Sequence, residues 1–304
     1  MRKIALALGV LLTLSAFGAL AADSAKPPTG AGKPEQLAFF QQRSIFTSGL
    51  RATHTVALTF DDGPNLHTGE VLDALKQMNV RATFFIVGRQ AHRYPEMLAR
   101  IAREGHLLAN HSANHARLGT RYGADPDLLI NEIRDVHDQI APLMAPGEKL
   151  YFRAPYGYWK SAHARTLNAD RELKHYVGPI YWDVGGEIAM SRDGYVMAAA
   201  DWECWRIKWS AKTCAKGYLR EIRRKNGGVV LMHAIQVNSA ALVREVVPAL
   251  IEEGYHFVRL DQVPQYRQYE TPKDRPSAVA DVQGKVPLRL SAVRTDKLPV
   301  GDLK

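Results

Sequence analysis

Cysteine is scarce in this sequence: Cys204 and Cys214 are the only two among 304 residues. A pair of cysteines does not by itself make a zinc site, which takes further ligands. In an oxidising compartment, two cysteines this close together are expected to form a disulfide. Closing so short a loop would contribute roughly 3 kcal/mol on the chain-entropy model. The sequence therefore predicts one disulfide.

Blocks of like charge are also missing. Lys and Arg number 40 against 31 Asp and Glu, a formal net charge of +9. If residues 1–21 are removed as a signal peptide, Arg2 and Lys3 are lost with them and the charge becomes +7. Because the basic residues are dispersed, nucleic-acid binding has little support. A basic balance on an exported protein favours anionic surroundings such as wall polymers. A solvated basic surface is the simpler explanation.

A long apolar run occurs only at the N-terminus. Arg2 and Lys3 precede an apolar segment, residues 4–20, which ends in the small-residue triplet A-L-A at 19–21. This layout predicts a secretory signal peptide over residues 1–21. An uncleaved anchor is the alternative, because about 17 apolar residues is the lower limit for spanning a bilayer. No cysteine lies near the cleavage point, which argues against a lipoprotein. We expect an exported, periplasmic or secreted protein without stable membrane insertion after cleavage.

The composition changes twice more along the chain. Residues 22–53 are rich in Pro, Gly, Ala and Gln, which predicts a linker or irregular N-terminal arm. Residues 54–264 alternate regularly between apolar and amphipathic segments, as a catalytic domain would. Residues 265–304 are polar and Pro-rich, which predicts a tail lying on the surface.

Short apolar strands alternate with amphipathic helices in residues 54–264. This alternation implies a parallel sheet covered by helices. No G-x-G-x-x-G loop follows the first strand, which counts against a nucleotide-binding fold. Seven strands favour an α/β fold of the incomplete (β/α) barrel type over an open doubly wound sheet. The predicted strands are Thr55–Phe60, Ala82–Val87, His106–Ala109, Leu150–Arg153, Pro179–Asp183, Gly228–Met232 and His256–Leu260.

Polar groups stand at the ends of five of these strands. In parallel (β/α) folds the carboxyl ends of the strands converge on one face, where active sites form. The sequence therefore predicts that these groups share one site. They are T-F-D-D-G at 59–63, H-S-A-N-H at 111–115, R-A-P-Y-G at 153–157, Asp183, and L-M-H at 231–233.

A metal site is the first hypothesis for this face. His111 and His115 are four residues apart, so both imidazoles can face one point. One carboxylate from Asp61 or Asp62 would complete two nitrogen ligands and one oxygen ligand, leaving a position for water. That is the composition of a catalytic zinc site. A lone H-x-x-x-H is more often two unrelated surface histidines, but the nearby carboxylates favour ligation.

The other titratable residues suggest acid–base chemistry. Adjacent aspartates point in different directions, so one can bind the metal while the other accepts a proton from water. Asp-Asp-Gly is also a common turn sequence, in which both aspartates are merely solvated. His233 ends a buried strand, where a lone histidine is usually a hydrogen-bonded core residue. Because its strand end faces the cluster, we favour a general acid that protonates a leaving amine.

The four longer motifs occur in the order and approximate spacing of the polysaccharide deacetylase family, which the chain resembles over about residues 54–264. The resemblance implies a distorted (β/α) barrel with fewer than eight units. It also implies a metal-dependent deacetylase that removes N-acetyl groups from N-acetylglucosamine-containing glycans, such as peptidoglycan or chitooligosaccharide, and releases acetate. An acetyl xylan esterase is the nearest alternative, and a catalytically inactive glycan-binding module is the alternative from another class.

The resemblance implies individual roles for the first three motifs. Asp62, His111 and His115 would bind a divalent metal, with zinc as the expected ion. Asp61 would be the general base, and Arg153 would pair with it and hold it ionised.

The resemblance also assigns the remaining roles. His233 would be the general acid, and the backbone N–H of Tyr156 would stabilise the oxyanion together with the metal. Here the sequence departs from the family. The fourth family motif, Asp-x-x-Asp-Trp, is interrupted, and Ala234 follows His233 where many members have Asp. The carboxylate that tunes the acid is then Asp201 or Asp183. We favour Asp201, because a Cys204–Cys214 bridge would hold its segment in place.

Aromatic residues cluster near these motifs. Flat rings suit the apolar faces of pyranose rings, although any single one is more often a packing residue. We expect two or three of them to line a sugar cleft. The candidates are Tyr156, Tyr158, Trp159, Trp182, Trp202, Trp205 and Trp209.

Overall fold

The computed structural model describes residues 40–45 and 48–269, where strands and helices alternate as a distorted (β/α) barrel. The predicted α/β class is confirmed. The described strands are β1 (Phe40–Ile45), β2 (Thr55–Asp61), β3 (Thr83–Ile86), β4 (Leu107–Asn110), β5 (Gly178–Ile180), β6 (Ala189–Met190), β7 (Val196–Ala198), β8 (Gly227–His233) and β9 (His256–Phe257). The described α-helices are α1 (Thr68–Gln77), α2 (Gly88–Arg93), α3 (Pro95–Arg103), α4 (Thr120–Ala124), α5 (Pro126–Ile140), α6 (Ser161–Ala169), α7 (Asp201–Arg206), α8 (Ala211–Lys225) and α9 (Ser239–Glu252).

The central strand is β2, whose apolar sequence V-A-L-T-F is buried on both faces. It pairs in parallel with β8 along its whole length, which sets Asp61 beside His233 at the carboxyl ends. On its other side β2 pairs with β3, and with β9 near its start, while β3 continues to β4. The strand register therefore brings two of the predicted polar motifs to one level of the barrel.

Isolated β-bridges, each a single hydrogen-bonded residue pair, continue the sheet between β4, β5 and β8. Phe152 bridges to Asn110, Tyr151 to Val177, and Val184 to Val230. The predicted strand at Leu150–Arg153 is present only as the bridges of Tyr151 and Phe152. Pro155, two residues after Arg153, has no N–H to donate, and the chain leaves the sheet there in a 3-10 helix, Pro155–Gly157.

The helices cover the barrel with their apolar faces. In α5, Leu129, Ile133, Val136 and Ile140 are fully buried at helical spacing. The helix begins where the Asp125 side chain accepts the Leu128 N–H at 3.0 Å. In residues 40–45 and 48–269 no helix is both long and apolar enough to cross a membrane.

Two stretches expected to be irregular contain ordered structure. β1 lies inside the predicted arm 22–53 and pairs in parallel with β5, and Phe40 is buried against Phe152 at a ring distance of 5.7 Å. At the other end, the 3-10 helix Pro264–Tyr269 buries Tyr266 and Tyr269 in the core, past the predicted boundary at 264. The predicted signal peptide, the rest of the arm before residue 40, and the tail after residue 269 lie outside the described residues.

The segment between β5 and β8 is the insertion expected from the interrupted motif. It holds an antiparallel hairpin, β6 and β7, followed by α7 and α8. The predicted disulfide is present: Cys204 of α7 is bonded to Cys214 of α8, with their Cα atoms 5.9 Å apart. The bond ties together the two helices that lie before β8.

Candidate active site

An ion pair occupies the carboxyl end of β2. Arg153 donates from Nη1 to Asp61 Oδ1 at 2.6 Å and to Thr59 Oγ1 at 2.9 Å. Its Nε donates to the Ile180 carbonyl at 3.2 Å, and its guanidinium carbon lies 4.1 Å from the centre of the Phe85 ring. Asp61 and Arg153 are 3% and 1% exposed, so the pairing offsets the burial of both charges. The guanidinium is fixed on several sides and fixes Asp61 in turn. The contact of Thr59 with Arg153 was not predicted from the sequence.

Asp62, His111 and His115 converge beside this ion pair. Asp62 Oδ1 lies 3.1 Å from His115 Nε2 and 3.5 Å from His111 Nε2. One ligand atom from each of the three residues falls within 4.8 Å of the others. Asp61 Oδ2, the oxygen not facing Arg153, is also 3.5 Å from His111 Nε2. The three predicted ligands thus form a cluster that can hold a metal ion, with Asp61 at its edge.

The chemistry of these donors fits a divalent cation. His111 Nδ1 lies 2.8 Å from the Arg153 carbonyl oxygen, so Nδ1 carries the proton and the Nε2 lone pair faces Asp62. Asp62 Oδ1 is buried and has no hydrogen-bond partner among the described atoms. Two acceptors facing each other out of water are unfavourable unless a cation lies between them. Burial lowers the pKa of His115, which favours the neutral ring that metal ligation requires.

The backbone around the cluster is strained. Asp62, Ser112, His115 and Tyr156 have φ angles of 71°, 66°, 53° and 57°, in the left-handed region that non-glycine residues rarely adopt. Such conformations persist only where the surrounding contacts enforce them, and they gather at functional sites. Three of these four residues belong to the predicted site.

His233 lies across from the cluster and is held by Asp201. Its Nδ1 is 2.8 Å from Asp201 Oδ1, and its backbone N–H donates to Asp201 Oδ2 at 2.6 Å. Asp201 itself is held in place by Tyr218, whose hydroxyl accepts the Asp201 N–H at 3.0 Å and donates to the Leu231 carbonyl at 2.9 Å. Burial opposes protonation of His233, but the charge and hydrogen bond of Asp201 outweigh it and raise the pKa of His233 to about 10.

Asp183, the other candidate partner of His233, lies elsewhere. Its carboxylate accepts from Ser48 Oγ at 2.6 Å, Arg51 Nε at 2.8 Å and the Val229 N–H at 2.9 Å. Val229 precedes His233 by four residues on β8, a separation of about 13 Å at the usual rise of a strand. The expectation that Asp183 could tune the acid is therefore wrong. Asp183 follows β5 by three residues, which suggested that it lies at the carboxyl ends of the strands. The chain instead turns back, and Asp183 lies beside the start of β8.

One cleft of about 560 Å³ connects these groups. Of the seven aromatic candidates, Tyr156, Trp182 and Trp202 line it. Trp159 is instead partly buried and packs against the core at Phe152. The lining residues are Asp61, Asp62, His111, His115, Ala154, Tyr156, Trp182, Gly186, Trp202, Leu231 and His233.

Gly186 was not singled out from the sequence. A Cβ at this position would lie 2.7 Å from Trp182 Nε1, so glycine lets the Trp182 ring stay stacked on Tyr181. The adjacent glycines at 185 and 186 were the visible signal.

Comparison with known proteins supports the resemblance. Residues 50–176 match the family model described as polysaccharide deacetylase. A chitooligosaccharide deacetylase of Rhizobium leguminosarum bv. trifolii is 34% identical over 156 residues, which cover 48% of this chain and 71% of the relative. A peptidoglycan-N-acetylmuramic acid deacetylase of Bacillus subtilis (strain 168) is 26% identical over 78% of this chain and 81% of its own. The solved structure of a peptidoglycan deacetylase from Bacillus subtilis superposes with a TM-score of 0.53 at 28% identity, covering 73% and 93% of the two chains.

Proposed function

Because this chain belongs to the polysaccharide deacetylase family, we propose that it hydrolyses the N-acetyl groups of N-acetylglucosamine-containing glycans to give acetate and a free amine. The observation that carries the proposal is a single cleft that holds a three-donor cluster, a paired aspartate and a paired histidine. The named relatives act on peptidoglycan and on chitooligosaccharide. Both are glycans with acetylated amino groups.

In this proposal Asp62, His111 and His115 hold the metal. Two nitrogen donors and one oxygen donor suit zinc, which is the ion we propose. When bound, a divalent ion lowers the pKa of water and polarises the acetamide carbonyl.

Asp61 is proposed as the general base. Arg153 occupies its Oδ1, so Oδ2 is left to accept the proton of the attacking water. That oxygen lies beside the cluster, 3.5 Å from His111 Nε2. The ion pair keeps the carboxylate in one orientation, as a general base requires.

His233 is proposed as the general acid. Asp201 takes its Nδ1, so Nε2 carries the proton to be donated, and this atom lies 3.9 Å from Asp62 Oδ2 at the cleft. Donation to the amide nitrogen lets the C–N bond break and the amine leave. The backbone N–H of Tyr156 is proposed as a donor to the oxyanion that forms on the carbonyl.

The cleft walls support a sugar substrate. Tyr156 and Trp202 are 69% and 49% exposed, although both are aromatic. Exposed rings at a cleft are suited to stacking on the apolar faces of pyranose rings. We therefore propose a glycan as the partner of this site.

The decisive experiment is acetate release from purified, zinc-loaded protein. The substrates are peptidoglycan, chitooligosaccharides, poly-N-acetylglucosamine and acetylated xylan, and Asp61→Asn protein is the matched control. We expect acetate from one or more of the N-acetylglucosamine glycans and little from the control. Acetate from xylan alone would identify an esterase. Binding of glycan without acetate release from any of them would identify an inactive binding module.

We also propose export and a revised domain boundary. Residues 1–21 would be removed as a signal peptide, and N-terminal sequencing of the mature protein should begin near Ala22. The catalytic unit would include β1 and extend through Tyr269, because Phe40 and Tyr269 are both buried in its core. Full-length reduced protein in the cytosol would contradict the export proposal.

A further inference from the structure

A buried carboxylate on α5 contacts the loop that carries two of the proposed metal ligands. We call residues 110–115 the ligand loop. Glu132 is 5% exposed, and its carboxylate accepts from Asn114 twice, from the backbone N–H at 3.0 Å and from Nδ2 at 2.8 Å. Asn114 directly precedes His115, so the contact acts one residue away from a proposed ligand.

Hydrogen bonds to backbone carbonyls of α5 hold the same loop against the same turn of that helix. The Ala113 N–H donates to the Glu132 carbonyl at 2.7 Å, and Asn110 Nδ2 donates to the Ile133 carbonyl at 2.8 Å. Asn110 Oδ1 in turn accepts the Ser112 N–H at 2.9 Å. The ligand loop is therefore held from its first residue to Asn114, with Glu132 at the end nearest His115.

The location of Glu132 is unfavourable unless its carboxylate is satisfied. It lies on the buried face of α5, between Leu129 and Val136, where a charged group without hydrogen bonds would be strongly destabilising. The loop it holds is itself strained, since Ser112 and His115 have φ angles of 66° and 53°, in the left-handed region. Contacts from outside the loop are needed to maintain that conformation.

We propose that Glu132 is a positioning residue for the metal site, which fixes the direction of His115 through Asn114. The inference rests on the proposed metal-dependent function. Glutamate suits this place better than glutamine, because both Asn114 groups are donors and a carboxylate can accept from both. A glutamine can accept from only one of them, and its NH₂ group would face the other donor.

The test is the zinc affinity of Glu132→Gln protein, measured by competition with a chromophoric chelator, together with thermal unfolding of the metal-free protein. We expect the dissociation constant for zinc to rise about tenfold or more, which is the usual effect of replacing a residue that holds metal ligands in place. The matched control is Glu221→Gln. Glu221 is also buried, accepts the Gly185 N–H at 3.3 Å and pairs with Lys225 at 2.6 Å. That variant should lose thermal stability and keep wild-type zinc affinity.

Two results would overturn the inference. Wild-type zinc affinity in Glu132→Gln would show that the contact does not position a ligand. An equal loss of affinity in Glu221→Gln would show a general effect of destabilisation. If Glu132→Gln does not fold, Asn114→Ala tests the same contact from the loop, with the same expected loss and the same contrary result. A wild-type protein without zinc affinity would instead contradict the proposed function itself.

Discussion

Asp201 contacts His233 at two points, with Oδ1 on the imidazole Nδ1 and Oδ2 on the backbone N–H, at 2.8 and 2.6 Å. A carboxylate that binds both the ring and the backbone fixes the position of the ring and also determines that Nδ1 carries a proton. Because β2 and β8 pair in register, the same His233 lies directly across from Asp61. The proposed acid and base therefore stand on neighbouring strands, each with its own ionic partner.

Replacing Asp201 by asparagine should move the alkaline limb of the pH–rate profile. A general acid must be protonated, so activity falls as pH rises through its pKa. Asp201 raises the pKa of His233, and losing its charge should shift that limb to lower pH by roughly one to three units. The measurement is kcat against pH. Asp183→Asn is the control and should keep the limb in place. A shift in Asp183→Asn alone would refute the assignment.

Removing either histidine of the cluster should remove the metal. His111→Ala and His115→Ala each delete one of three donors, so bound zinc and turnover should both be lost, as measured by elemental analysis and acetate release. His92→Ala is the control, because His92 is exposed and pairs with Asp135 on the surface, away from the cluster. Stoichiometric zinc in His111→Ala would show that the ligand set is wrong.

The two aspartates after β2 should differ in what their loss affects. Asp61→Asn should keep zinc and lose activity by about 10²–10⁴-fold, since an amide cannot accept the proton of water. Asp62→Asn should instead weaken zinc binding, because Asp62 Oδ1 is the oxygen that faces both histidines. Zinc content and rate are measured for both variants. Equal loss of zinc in the two would contradict separate roles.

His106 should make the free energy of unfolding depend on pH. It is buried, its Nδ1 accepts the Ala82 N–H at 3.0 Å, and burial lowers its pKa to about 4 from an ordinary 6.5. Between these values the unfolded chain binds more protons, so this stabilisation is complete above pH 6.5 and is lost as pH falls to 4. The loss should be of order 3 kcal/mol at low pH.

Urea unfolding of the metal-free protein from pH 4 to 7 measures this effect. His106→Asn is the informative variant, because its side-chain oxygen can accept the Ala82 N–H but does not titrate. Its unfolding free energy should depend less on pH over this range. Identical pH dependence in the two proteins would mean that His106 does not carry the effect.

The fold could be predicted where local pattern and tertiary environment agree. T-V-A-L-T-F and V-V-L-M are apolar runs that occupy central strands, and the periodicity of α5 matches its buried face. β1 could not be found this way, because F-Q-Q-R-S-I is mostly polar. It is a strand because it pairs with β5, more than 130 residues away, and no local pattern records that pairing.

The site residues, too, could be predicted where the local sequence pattern is enough, and not where long-range contacts decide. The residues at 61, 62, 111 and 115 lie in short motifs at strand ends, where the parallel topology alone brings them together. Choosing between Asp201 and Asp183 needed the path of the insertion, which the sequence does not contain. Glu132 left a visible signal, a single acid on the apolar face of α5, but its partner Asn114 lies 18 residues away on another element.

The disulfide between Cys204 and Cys214 makes the completed site depend on an oxidation that follows synthesis. α7 begins at Asp201, so the covalent bond lies three residues from the carboxylate that contacts His233. A newly made chain with two thiols has every proposed catalytic side chain, but only the hydrogen bond from the Asp201 N–H to Tyr218, and no covalent bond, yet connects Asp201 to α8 among the contacts described. We expect the reduced chain to have lower activity, measured as acetate release before and after reduction, and to recover it when an external oxidant takes up two electrons and two protons and the bond re-forms. The redox state of the compartment, as well as the sequence, then affects how firmly Asp201 is held beside His233.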